Sequence, residues 1–118
     1  MAGYIKGITI SFGADVSQLN AGLKKAQGTI NKTQAELKQI NQALKFNPRN
    51  TTLLKQKFDL LKLSVTQTED KLKQLRAMQA KMDAAGVDKT SAEYRQLERE
   101  IVKTESQLKL AAAALKRF

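Results

Sequence analysis

The chain has 118 residues and a formal net charge of +10, from 21 Lys+Arg against 11 Asp+Glu, with no cysteine, histidine or tryptophan. That length holds at most one ordinary domain, and the missing residue types exclude disulfides, thiolate or imidazole metal sites and Cys- or His-based catalysis. No apolar run approaches the roughly 20 residues of a membrane span, and "MAGYIKGITISFGAD" lacks a signal-peptide layout, so the sequence reads as soluble, not exported by a cleaved signal and compatible with a reducing compartment.

Residues 4–12, "YIKGITISF", alternate and carry β-branched Ile and Thr, which predicts one short β-strand in an arm over residues 1–14. A lone strand is not stable in water, so it adds to a neighbouring subunit, lies across the helices or stays mobile. Its open edge favours the first choice, making Ile5, Ile8, Ile10 and Phe12 candidate strand-mediated contacts. Asp15 then offers an N-cap, with Gln18 as a weak partner three residues on.

A helical module is predicted over residues 15–118, with helices over about 16–46, 51–84 and 91–118. In the first helix Leu19, Leu23, Ala26, Ile30, Thr33, Leu37, Ile40 and Leu44 recur in alternating steps of four and three, a heptad seam. Pro48 has no amide hydrogen and pushes Asn47 out of helical conformation, so the helix stops at Phe46. Asn50 can cap the next helix, and so short a connection makes a hairpin corner.

The second seam is Leu54, Phe58, Leu61, Val65, Thr68, Leu72, Leu75 and Met82. Folding back at Pro48 sets Leu44 beside Leu54, Ile40 beside Phe58 and Leu37 beside Leu61, with Thr33 and Thr68 in neighbouring layers where polar residues can fix register. Leu53, Leu60 and Leu63 lie off this seam, and read either as core toward a third helix or as an oligomer face. Gly86 followed by Val87 suits a Schellman-type stop, and "TSAE" at 90–93 a capping box. The third seam is Tyr94, Leu97, Ile101, Thr104, Leu108, Ala111, Leu115 and Phe118; it is still in phase at the last residue, so the sequence reads as a piece of a longer chain. The expected fold class is mainly α: a short N-terminal strand, then three long antiparallel coiled-coil-like helices in an elongated bundle.

The sequence offers no set of catalytic, cofactor-binding or metal-binding residues. Glu69–Asp70 and Glu98–Glu100 read as solvated helix faces. The basic stripe on the first helix (Lys24, Lys25, Lys32, Lys38 and Lys45, with Glu36 the only acid) is a candidate non-specific polyanion contact, for nucleic acid phosphates, an acidic protein surface or anionic lipid, or else a solvated face. A local echo, "KTQAELK", "QTEDKLK" and "KTESQLK", spaces Thr33, Thr68 and Thr104 by 35 and 36 residues, as a repeat or as a shared heptad would.

Three stretches, "IKGITISFGADVSQLNAGLKKA" (5–26), "ELKQINQALKFNPRNTTLLKQKFDLLKLSV" (36–65) and "SAEYRQLEREIVKTESQLKL" (91–110), resemble the amino-terminal region of tail tape measure proteins of long-tailed bacteriophages and prophages. The Leu-Lys-Phe-Asn-Pro corner is the most specific piece. The resemblance implies a structural, non-enzymatic role in tail assembly, in a family whose length sets the tube's length. It implies a virion-tail location, with the host cytoplasm during assembly. The implied partners are tail tube subunits and tail assembly chaperones; the off-seam leucines and the open strand edge add further copies of the chain, and the residues themselves show no cofactor site and no membrane contact. Because a hairpin folds length away, this region is expected to be an end or docking module. The alternatives are a basic coiled coil that binds nucleic acid and a secreted helical hairpin of the Trp-X-Gly type, which the absence of tryptophan disfavours.

Overall fold

The heptad segments form α1 (Ser17–Phe46), α2 (Thr51–Ala84) and α3 (Ala92–Lys116). The structure, a computed structural model, describes Gly3–Ile5, Ile8–Ile10 and residues 17–118. Each corner has a local cause. After Phe46, the Asn50 amide donates to the Asn47 carbonyl at 3.1 Å, and the Asn50 side-chain oxygen accepts from the Leu53 amide at 3.0 Å, capping α2. At the other end Gly86 takes φ +73°. Its amide donates to the Asp83 carbonyl and that of Val87 to Met82, the paired bonds of a Schellman motif. Val87 and Met82 are both buried, supplying the motif's apolar contact.

The cap of α3 is one residue later than the sequence suggests. Ser91, not Thr90, accepts from the Tyr94 amide, at 3.3 Å. Asp88 has already claimed Thr90, accepting from its amide at 2.8 Å and its hydroxyl at 2.7 Å. An aspartate two residues upstream thus fixes Thr90 in a turn before the helix can use it.

α1 and α2 run antiparallel. Gln34 Nε2 donates to Ser64 Oγ at 3.3 Å, and Lys71 Nζ donates to Gln27 Oε1 at 2.7 Å. Both contacts lie in the register that sets Leu37 opposite Leu61. Contacts from α2 to α3 run Phe58–Phe118, Arg76–Glu105 and Asp83–Tyr94, so α3 returns antiparallel as well. Among the described residues α1 and α3 have no Cα atoms within 8 Å of each other, and α2 is the shared middle helix. The molecule measures 54 × 23 × 18 Å, about the length of α2 alone at ~1.5 Å per residue.

The core sits toward the Gly86 corner. Leu23, Leu72, Leu75, Met78, Met82, Val87, Tyr94, Leu97 and Ile101 form one buried cluster, with Leu19 and Leu108 packed on it. The seam threonines Thr33 and Thr68, expected in neighbouring layers where polar residues can fix register, bond inside their own helices. Thr33, Thr68 and Thr104 are all buried, and each hydroxyl donates to the carbonyl four residues back, Thr29, Ser64 and Glu100. Four-back bonding satisfies a seam threonine without a partner across the interface, so register is held elsewhere.

At the N-terminus, the described residues form two short strands in place of a single strand over 4–12. β1 (Gly3–Ile5) pairs antiparallel with β2 (Ile8–Ile10), Gly3 opposite Ile10, Tyr4 opposite Thr9 and Ile5 opposite Ile8. Gly7 lies between them in sequence, and glycine weakens a continuous strand there. β1 lies beside α1 and β2 beside α3. Of Ile5, Ile8 and Ile10 only this backbone pairing is described, and Phe12 and Asp15 lie outside the described residues.

Candidate functional site

The residues predicted to pack divide by position along the rod. Leu23, Leu37, Leu61, Leu72 and Leu75 are buried, as are Tyr94, Leu97 and Ile101. Ile30, Ile40, Leu44, Leu54, Val65, Leu108 and Leu115 are half-buried. Phe58 departs from the seam: it is 37 % exposed, and its ring packs on Phe118, itself 47 % exposed, with centroids 5.6 Å apart. The Phe58–Phe118 contact marks the level where α3 ends, so α2 from Thr51 onward extends past it toward the Pro48 corner with one neighbouring helix instead of two. At that corner Asn47, Pro48 and Asn50 are exposed, and Phe46 is 85 % exposed.

Of the three off-seam leucines, Leu53 and Leu60 are half-buried and Leu63 is exposed. The extra packing line of the middle helix runs instead through Ser64, Lys71 and Met78, all buried and spaced by sevens. Lys71 is 3 % exposed at the side chain. Its ammonium reaches Gln27 Oε1 on α1 at 2.7 Å and Glu100 Oε1 on α3 at 3.0 Å, tying three helices at one point. No hydropathy pattern marks it, because a lysine at a core position looks like a surface residue.

Charge is distributed as unevenly as burial. Residues 31–67 and 110–118, the half of the rod that the helix registers bring toward Pro48, carry nine Lys/Arg against Glu36 and Asp59; the rest of the chain carries twelve against nine. Lys24, Lys25, Lys32, Lys38 and Lys45 are all exposed on α1, without an ion pair to any described residue. The positive field therefore concentrates on the half of the rod that also exposes Phe46, Leu63, Leu110 and Phe118.

At the Gly86 end the titratable groups serve the fold. Tyr94 Oη donates to Asp83 Oδ1 at 2.7 Å; that bond, then burial, raises the phenol's pKa above its usual 10.0. The Thr90 amide and then its hydroxyl hold the Asp88 carboxyl below its usual 3.8. Among the described residues no group of three acidic side chains is placed to hold a metal ion, and no helix is long and apolar enough to cross a membrane. No protein-family model matches the chain, and no match is found among curated proteins or solved structures.

Proposed function

We propose that the chain is the amino-terminal assembly and docking module of a tail tape measure protein, a structural part of a long-tailed phage or prophage virion. The supporting observation is the folding away of length. As one continuous helix, Ser17 to Lys116 would span about 150 Å; folded at Pro48 and Gly86, the molecule is 54 Å long. A segment that loses about two-thirds of its reach in corners is a poor ruler and a suitable end piece. The sequence resemblance, strongest at the Pro48 corner, supports the same reading. In it the module works in the host cytoplasm and then in the virion tail. Its partners are further copies, tube subunits and tail assembly chaperones, while length is set by helical sequence farther along the chain.

The test is tail length by electron microscopy. Two heptads added to α1 and two to α2, in register, should leave tails unchanged. The same residues added to downstream helix should lengthen tails by about 1.5 Å each. Hairpin insertions that lengthen tails at that rate, or tails of normal length without the chain, would overturn the reading.

The exposed lysines of α1 favour a second reading, non-specific contact with nucleic acid. It predicts oligonucleotide affinity that falls steeply with salt and weakens when Lys24, Lys38 and Lys45 become Glu.

A further inference from the structure

We propose that the groove between α2 and α3 near the Pro48 end docks an amphipathic helix from an acidic protein partner. Val65, Ala112, Ala113 and Leu115 supply its apolar surface, Lys109 and Lys116 are its polar lining, and no acidic side chain lines it. Farther toward the corner stands the Phe58–Phe118 pair, where Lys62 Nζ lies 5.4 Å from the centre of the Phe58 ring and Lys57 Nζ 6.0 Å from that of Phe118. Lys109 and Lys116 are exposed and make no ion pair with any described residue; nearby Glu105 is engaged by Arg76 at 2.8 Å.

This chemistry selects the occupant. The two alanines let a helix approach closely, and an apolar stripe on that helix covers the groove's apolar side chains. The two lysines, seven residues apart, meet carboxylates at the same spacing beside such a stripe. A second copy docking through this face would set lysine against lysine, which disfavours self-pairing. The rings on the groove's side, Phe58 and Phe118, already pack against each other and carry lysines over them, which disfavours base stacking there.

The probe is a synthetic three-heptad helix with Leu along its stripe and Glu at the flanking positions, titrated by fluorescence anisotropy at about 0.15 M ionic strength, where charges more than about 8 Å away are screened. Saturable binding is expected, weakened about tenfold when Lys109 and Lys116 both become Glu, and restored to that variant when the probe's flanking Glu are replaced by Lys. Ala113→Gln, which fills the groove without changing charge, should also weaken binding; Lys24→Glu with Lys25→Glu, on α1, should leave it within about twofold. Circular dichroism checks the fold of each variant. Four results would overturn the proposal. These are no saturable binding, full binding by Ala113→Gln, tighter Lys109/Lys116-dependent binding of a single-stranded oligonucleotide or phosphatidylserine vesicles, or a dimer that Ala113→Gln abolishes.

Discussion

A methyl group built on Gly28 meets nothing within 4 Å, whereas Gly86 holds φ at +73°, where an L side chain is strained. The two glycines should therefore respond oppositely to alanine. Gly28→Ala should raise unfolding free energy by about 1 kcal/mol through helix propensity, and Gly86→Ala should lower it by about 1 kcal/mol; urea midpoints read both, and equal signs would contradict the assignment. Tyr94 gives a pH signature. Its hydrogen bond to Asp83, with burial, raises the folded pKa. The contribution to stability is thus full below the unfolded value near 10 and is lost as pH rises through the folded one. In a Tyr4→Phe chain, which leaves Tyr94 the single tyrosine, absorbance at high pH should show ionisation above pH 10.0. Tyr94→Phe should flatten the alkaline fall in stability, and an unshifted titration would remove the argument. Asp88 has the opposite sign: its pKa is lowered, so its contribution is present above the unfolded value and lost as pH falls through the folded one.

The corners were legible because each rests on residues whose backbone chemistry is local: Pro48, Asn50 and Gly86. The antiparallel register was legible too, since a fold at Pro48 leaves one way to align two heptad seams, and Gln34–Ser64 and Gln27–Lys71 both sit in it. The middle helix's third packing line was not legible. It runs through Ser64, Lys71 and Met78, and two of the three are polar, so hydropathy placed them outside. What buries Lys71 is a pair of acceptors on two other helices, information that no single segment contains. The arrangement makes an asymmetric prediction. Glu100→Ala leaves an ammonium at 3 % exposure with only Gln27 to meet it, and should cost about 3 kcal/mol. Lys71→Met should cost less, because methionine replaces the buried stem and Glu100, at 13 % exposure, keeps access to water. Chemical denaturation compares the two; an equal or reversed order would mean that the pair does not hold the helices as described.

Along the whole rod, burial and charge run in opposite directions. The buried cluster of Leu75, Met78, Met82, Tyr94 and Leu97 belongs to the Gly86 end, while net positive charge gathers toward Pro48, where nine basic side chains are set against two acidic ones. The cause is partly geometric: beyond the level of Phe118, among the described residues, α1 and α2 have only each other, and a two-helix interface buries about one side of each. Like charges crowded on that half add repulsion that the core does not offset there. Stability should therefore be graded along the axis, not uniform. Amide hydrogen exchange should be slowest at residues 72–82 and 94–101, where opening requires breaking the cluster, and faster at 40–58, where the hairpin can open locally. Added salt should slow the 40–58 amides more than the others by screening the repulsion, whereas a gradient set by packing alone would respond to salt equally at both ends. Protection at 40–58 equal to that of the cluster would mean that two helices suffice to hold the corner. The exposed apolar and basic side chains there would then be stable surface without the looseness that favours docking.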